Sequence, residues 1–492
     1  MLEIVIVSIY ALLLCCILIY CLLELGLAIH YLKARRTVRE KVSFPTDLPI
    51  QDYPFVTVQL PVFNEMYVVE RLIDQVAKFD YPKERFEIQV LDDSTDETVE
   101  ISRRKVEEYA AKGFNISMLH RVDRTGFKAG ALQEGMKVCK GEFIAIFDAD
   151  FLPTHDFLKN TLPHFKDKRI GVVQTRWSHI NKEYSLLTRV QAFFLDAHFT
   201  VEQAGRNSQG YFINFNGTAG VWRKITIEDA GGWQADTLTE DLDLSYRAQM
   251  KDWLFLYLEE FLSPAELPAD MKSFKSQQFR WIKGGAETAR KLLPKIVASD
   301  LPFSIKINAF SHLLSSSVYL MVFLLVLLSI PLLLVKNTYI QTEYIHYGAP
   351  FFISNIAMSV VYYASNKDKF NKLSGIIEYL IMMPIFLLVT MGLSLHNALA
   401  VIRGLAREKT PFIRTPKFNI VTQKDGWKNN KYLSRKIDFV TILEGFLACY
   451  FLFGMVYGFM IHDLSLLPIH TMAFIGFSSV FIYSVKHSVV SS

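Results

Sequence analysis

Residues 143–150 read FIAIFDAD, an apolar run that ends without a spacer on two carboxylates, Asp148 and Asp150. The run is short and β-branched or aromatic at most positions, so it predicts a buried strand rather than a helix. Side chains alternate along an extended chain, which places Asp148 and Asp150 on one side of the tripeptide. The same pattern occurs upstream in FEIQVLDD, residues 86–93, where Asp92 and Asp93 follow the strand-like run. Acids at strand ends fall where an open α/β sheet builds its ligand crevice. Around these two runs the chain alternates FVTVQLP (55–61), a helical pattern from Glu65, FEIQVL, a helix ending near Lys112, ISMLH (116–120), a helix from about Lys128, and FIAIF. That is a βαβ series, and it predicts a mainly parallel sheet.

The 492 residues are unevenly composed. Charge concentrates between about Lys33 and Lys295, and apolar stretches lie on both sides of it. Residues 5–32, VIVSIYALLLCCILIYCLLELGLAIHYL, are long enough to cross a hydrocarbon layer of about 30 Å, with Glu24 the one acid in the run. A cleaved signal peptide is the competing explanation. The length, the acidic leading end at Glu3 and the lack of a small-residue cleavage site argue against it. KARRTVREK follows at 33–41, so the positive-inside bias places the central domain in the cytoplasm. The expected divisions are a membrane helix at 1–33, a soluble domain at 34–300 and a membrane domain at 301–492. The net charge of +4 gives no reason to expect a nucleic-acid partner, because the excess base lies beside membrane segments and faces a lipid bilayer. The five cysteines show neither a disulfide framework nor metal-ligand spacing.

Beyond the soluble part, apolar stretches recur at 307–335, 347–364, 376–405, 439–461 and 466–485. NKDKFNK (366–372) and the segment 403–436 are both basic, so both are expected in the cytoplasm. One crossing between them would separate them. The stretch at 376–405 is therefore expected as an interfacial or re-entrant helix pair broken near Pro384, the rival being a single crossing.

Several further residues point to chemistry. Two hard oxygen ligands at Asp148 and Asp150 suit Mg2+ or Mn2+ bridging a diphosphate. Asp92 and Asp93 suit a nucleoside, with helix capping as the plainer alternative. Pro61 and Glu65, at the tip of the preceding strand, supply another wall of that pocket. Lys128 lies between Gly126 and Gly130 at a helix start, where anions are stabilised; a solvated lysine explains the same letters. FNGTAGVWRK (215–224) and Gly231, Gly232 and Trp233 offer close backbone approach and flat surface, making Phe215, Asn216, Gly217 and Thr218 candidates for a sugar acceptor. Glu240 and Asp241 open a helical run, where acids also serve the macrodipole. Gln277 and Arg280 share a helix face beside Trp281. An amphipathic helix at the membrane surface is the alternative there.

Together these motifs resemble the processive family 2 glycosyltransferases of the cellulose synthase group, densely from about Val56 to Arg290. The likeness is greatest to the plant cellulose-synthase-like A and C subgroup, which makes mannan, glucomannan or a β-1,4-glucan. IQVLDDSTDETV, GFKAGALQEGM, AIFDADF, HFTVEQ, FNGTAG and QQFRWIKG carry it. The resemblance implies an α/β GT-A domain, of the nucleotide-diphospho-sugar transferase type, with an α-helical transmembrane bundle. It implies that Asp92 and Asp93 hold the nucleotide, and Asp148 and Asp150 the metal diphosphate. Asp241 would be the general base, beside Glu240, and Gln277, Arg280 and Trp281 would meet pyrophosphate and the acceptor end. FNIVTQK (418–424) resembles the gating loop of these synthases, with its aromatic one place out of register; Thr422 and Lys424 transfer and Phe418 does not. No carboxyl-terminal regulatory domain is expected.

The expectation is a multi-pass enzyme of the plasma (inner) membrane that moves hexose from GDP-mannose or UDP-glucose onto a growing polysaccharide. Transfer to a lipid acceptor is the alternative. Accessory subunits are not legible.

Overall fold

The computed structural model describes residues 2–35, 44, 48–339, 345–410, 414–422, 424–427, 430–433 and 436–490. Most of the basic run at 33–41 and parts of the 403–436 segment lie outside these residues.

A first helix, α1 (Leu2–Ala34), precedes an alternating series: β1 (Val56–Val62), α2 (Val69–Val76), β2 (Phe86–Asp92), α3 (Thr98–Ala111), β3 (Ile116–His120), α4 (Phe127–Val138) and β4 (Phe143–Ile146). The strands fall on the apolar runs that predict them. Next come α5 (Phe157–Thr161), β5 (Ile170–His179), α6 (Leu186–Ala197), a π-helical turn at His198–Glu202, α7 (Gln203–Ser208), β6 (Gly220–Arg223), α8 (Lys224–Asp229), α9 (Glu240–Gln249) and β7 (Leu254–Ala265). All seven strands form one sheet in the order β3-β2-β1-β4-β6-β5-β7. β1 pairs in parallel with β2 and β4, β2 with β3, and β5 with β7, while β6 runs antiparallel between β4 and β5. The chain leaves β1 for β2 on one side and later returns to β4 on the other. β1 and β4 therefore flank the topological switch point, where an open sheet leaves a crevice at its strand ends.

The sheet is buried on both faces. Val58, Leu60, Val90, Ile144, Ile146 and Val221 are essentially inaccessible to solvent. Polar side chains inside it pair across strands: Thr57 Oγ1 donates to Glu87 Oε1 at 2.7 Å, and Gln59 Nε2 to Gln89 Oε1 at 3.0 Å. α4 crosses close above them, and a Cβ at Gly135 would lie 2.5 Å from Gln59 Nε2.

The long helix α10 (Met271–Ala298), capped by Asp270 accepting the Ser273 amide at 2.9 Å, leads to α11 (Phe303–Leu314), α12 (Ser317–Tyr339), α13 (Ile345–Ser365), α14 (Leu373–Gly392), α15 (Ser394–Leu405), α16 (Phe439–Met460) and α17 (Leu467–Val490). Among the described residues, five helices are long and apolar enough to cross a bilayer: α1, α12, α14, α16 and α17. They mark the chain as a membrane protein. The apolar run at 307–335 is divided between α11 and α12, and the span expected at 347–364 corresponds to α13. The stretch at 376–405 is two helices, but it turns at Leu393 and α14 continues through Pro384. Proline is tolerated inside an apolar helix when neighbouring helices support the freed carbonyl. The turn falls where Gly392 meets α17 so closely that a Cβ would lie 2.3 Å from the Gly476 carbonyl oxygen.

A buried ion pair joins the first membrane helix to the sheet domain. Glu24 on α1 and Arg206 on α7 meet at 3.2 Å with both side chains 1% exposed. Removing one partner of such a pair leaves an uncompensated charge and costs about 3–5 kcal/mol. Arg206→Ala is expected to lower the unfolding free energy of the detergent-purified protein by about that amount, read as a lower thermal transition. Glu24→Gln, which keeps a hydrogen-bonding side chain, is expected to cost less.

Candidate active site

The tips of β1, β2 and β4, the starts of α4 and α9, and one face of α10 surround a single cavity. The turn after β1 brings Asn64 to a left-handed φ of 53°, a region asparagine enters more readily than most residues. Its amide donates to Ser94 Oγ at 2.8 Å and its Oδ1 accepts the Thr95 amide at 2.8 Å, tying the β1 and β2 tips together. Pro61 and Glu65 line the cavity. Burial pushes the Glu65 carboxyl up to about 8, against the opposing charge of Arg414, whose Nη1 is 3.3 Å away.

The two acids after β2 separate. Asp93 lines the cavity and is gripped by Arg121, Nε to Oδ1 at 2.8 Å and Nη2 to Oδ2 at 2.6 Å. Asp92 lies beneath it, fully buried. It accepts the Ser94 amide at 3.2 Å and faces His120 Nδ1 at 2.6 Å.

Asp148 and Asp150 both reach the cavity, from the turn that follows β4. Each carries a lysine. Lys128 Nζ donates to Asp148 Oδ1 at 2.5 Å and to the Gly217 carbonyl at 2.9 Å, while Lys417 Nζ donates to Asp150 Oδ2 at 2.6 Å and to the Glu266 carbonyl at 2.7 Å. Burial raises the Asp148 carboxyl above its ordinary range. Among the described residues no group of three or more His, Cys, Asp or Glu side chains is gathered as a protein-only metal cage. Two hard carboxylates on one wall are the donor set for a divalent ion completed by phosphate and water, so Asp148 and Asp150 fit that use.

α9 begins at Glu240, and Glu240 and Asp241 face the cavity from its first turn. Burial, and then the adjacent Glu240 charge, pushes Asp241 up to about 7. Burial also raises Glu240. From α10 come Gln277, Arg280 and Trp281, with Arg280 Nη2 donating to Thr415 Oγ1 at 2.8 Å.

Asn216 and Gly217 line the cavity, whereas Phe215 and Thr218 do not. Phe215 is fully buried with its ring against Trp222 at 5.4 Å, and Trp233 packs on the same tryptophan at 5.8 Å. Thr218 Oγ1 accepts the Asp148 amide at 2.9 Å, beneath the carboxylates. Thr422 and Lys424 lie on an exposed turn where the Thr422 amide donates to Asp425 Oδ2 at 2.7 Å, and neither reaches the cavity. The same segment reaches the site earlier, through Arg414, Thr415 and Lys417. Those three, with Phe63, Arg124 and Trp177, line the cavity without having been singled out by sequence; the only signal for Arg414 and Lys417 is the basic character of their run.

A second cavity shares Trp177, Asn216, Thr239, Asp241 and Trp281 with the first and extends to Tyr20 on α1, His312 on α11 and Tyr319 on α12. The π-helical turn lines it through His198, Phe199 and Glu202.

Residues 57–228 match the glycosyl transferase family 2 and residues 143–365 the glycosyl transferase family group 2. The chain carries a family 2 glycosyl transferase domain. It is 46% identical over 256 residues to glucomannan 4-beta-mannosyltransferase 1 of Oryza sativa subsp. japonica, covering 51% of this chain and 49% of that protein. It is 43% identical over 263 residues to glucomannan 4-beta-mannosyltransferase 2 of Arabidopsis thaliana, covering 52% and 49%. The matched region spans about half the length of these relatives. Both fall within the cellulose-synthase-like likeness seen in the motifs. Among solved structures, the mannosyltransferase PcManGT from Pyrobaculum calidifontis, in complex with GDP-Man and Mn2+, superposes with a TM-score of 0.52 over 83% of this chain and 100% of that one. At 17% identity this shows the GT-A fold alone.

Gly217 supplies a geometric test. Its φ is +79°, and a Cβ there would lie 2.8 Å from Asp241 Oδ2 and 3.4 Å from Lys128 Nζ. Gly217→Ala is expected to leave the protein folded but to displace Asp241. Displacement of a reacting group by about 1 Å costs on the order of 100-fold in rate, read as sugar-nucleotide turnover.

Proposed function

We propose that this chain is a membrane-embedded inverting mannosyltransferase that takes mannose from GDP-mannose and extends a β-linked glycan. The convergence of Lys128, Asp148, Asp150, Asp241 and Arg280 on one cavity carries this reading. The names of the two plant relatives and the GDP-Man bound in the Pyrobaculum structure favour mannose over glucose.

In the proposed reaction the nucleotide lies against the β1 and β2 tips, with Asp93, Pro61 and Glu65 around it. The acceptor glycan stands at Trp281 and Asn216. Asp241 removes the proton from the acceptor hydroxyl as that oxygen bonds to the anomeric carbon, and the bond from that carbon to the diphosphate oxygen breaks on the opposite face. A divalent cation held by Asp148 and Asp150 would neutralise charge on the departing diphosphate. Lys128 and Arg280 supply positive charge to the same oxygens, and this stabilisation is larger once the bond has broken than before. A carboxyl poised near 7 suits a general base at neutral pH. Gln277 orients the donor from the α10 face.

The second cavity supports elongation and passage of the product. It starts at Asp241 and Trp281 and is walled by Tyr20 and Tyr319 from α1 and α12, an aromatic lining on which sugar rings stack. The catalytic domain would then face the cytoplasm, with the glycan leaving across the bilayer.

Membranes holding the full chain, given labelled GDP-mannose or UDP-glucose with Mn2+ or Mg2+, are expected to yield a product from GDP-mannose that β-1,4-mannanase shortens. Long chains on a gel support elongation, while a single sugar on lipid would sink it. Asp241→Asn is expected to reduce turnover by about 100-fold or more with GDP binding retained.

The pH profile follows from the raised carboxyl. Asp241 is a base only when deprotonated, so kcat/KM is expected to rise with pH through about 7 and to be lost below it. An acid limb near 4 would instead assign the base to an unperturbed carboxylate.

A further inference from the structure

The nucleotide end of the cavity contains a cation that the reaction above does not use. Arg124 stands over the Phe63 ring, its guanidinium carbon 3.2 Å from the ring centroid, and both residues line the cavity beside Asp93. Its Nε is buried without a hydrogen-bond acceptor among the described residues. The nearest carboxylate oxygen, Asp93 Oδ2, is 4.0 Å away and already receives Arg121 Nη2 at 2.6 Å. Arg121, rather than Arg124, is therefore the structural partner of Asp93.

The place of this pair along the sheet indicates what it meets. Asp148 follows β4, Phe63 follows β1 and Asp93 follows β2, and these are successive neighbours in the sheet. Strands are about 4.8 Å apart, so Asp93 and Arg124 stand about 10 Å from the diphosphate carboxylates, the distance from a diphosphate to its nucleobase. A planar cation resting on an aromatic face occupies the slot a flat base would take, since both stack on π-faces.

We infer that Arg124 reads the donor nucleobase and selects guanine over uracil, an inference that rests on the nucleotide-sugar reading above. The base stacks on Phe63, and the displaced guanidinium turns its fork to the base edge. Guanine presents two adjacent acceptors, O6 and N7, which match that fork, and its N1–H and N2–H2 are donors that Asp93 can accept. Uracil has no adjacent acceptor pair: beside O4 stands a carbon. Lysine cannot replace arginine here, because a point charge has no fork.

The test titrates GDP and UDP, each with Mn2+, into the detergent-purified full chain by calorimetry. The wild type is expected to bind GDP at least tenfold more tightly than UDP. Arg124→Lys, which keeps charge and length, and Arg124→Leu are each expected to lose about tenfold in GDP affinity while UDP affinity changes by less than about twofold. Equal losses for both nucleotides would make Arg124 a phosphate or structural contact and overturn the inference. So would an unchanged ratio, which leaves the donor reading standing, or a wild type that prefers UDP, which overturns the choice of GDP-mannose as well but leaves a nucleotide-sugar donor. A wild type that binds neither nucleotide overturns the donor reading and this inference together.

Discussion

Buried carboxylates need compensating charge, and the active cavity is organised by that requirement. Glu65, Asp93, Asp148, Asp150, Glu240 and Asp241 surround one recessed space, where a carboxylate taken from water without a partner is expensive to keep. Arg414, Arg121, Lys128 and Lys417 stand against Glu65, Asp93, Asp148 and Asp150 respectively. Among the described residues Glu240 and Asp241 have no such ion pair, and burial raises both above the ordinary carboxylate range. Burial raises the paired Glu65 and Asp148 as well, so their cations offset part of the desolvation cost without cancelling it.

The same requirement determines which elements meet at the site. Lys128 reaches Asp148 from the start of α4, with Gly217 close beneath it. Lys417 and Arg414 arrive from the segment between α15 and α16, the second of which is long and apolar enough to cross a bilayer. The sheet domain and the helical part therefore share one electrostatic centre, and α10 runs between them with Arg280 bonded to Thr415. The Glu24–Arg206 pair repeats the device at the far side, where α1 meets α7.

Much of the fold was legible. The strands at 56–62, 86–92, 116–120 and 143–146 lie where alternation and short apolar runs predict them; the three inner ones are covered on both faces, with their few polar side chains paired across strands, and 116–120 is a half-exposed edge strand. Asp93, Asp148 and Asp150 stand out because a charged residue just beyond an apolar strand has no packing role to explain it, whereas Asp241 lies in the first turn of α9 and Gln277, Arg280 and Trp281 within α10, all lining the same cavity. Phe215 and Trp233 misled, because an aromatic in a glycine-rich stretch looks the same whether it faces sugar or the Trp222 core. Thr218 and Asp92 lie on the buried side, Asp92 as the last residue of β2 and Thr218 in the bend between Gly217 and Ala219, both at positive φ. Proline suggested a break at Pro384, whereas the contact of Gly392 with Gly476, 84 residues apart in sequence (476 − 392), is where the helix turns.

By itself the sequence determined the alternating sheet, the apolar helices and the acids at strand tips, since each depends on periodicity and burial within a few residues. The tertiary structure alone decided which cation faces which acid, that Lys417 and Arg414 belong to the cavity at all, and that Arg124 rests on Phe63. Such pairings join residues up to 349 positions apart, as Glu65 and Arg414 are (414 − 65). Coulombic partnership carries no local periodicity from which it could be read.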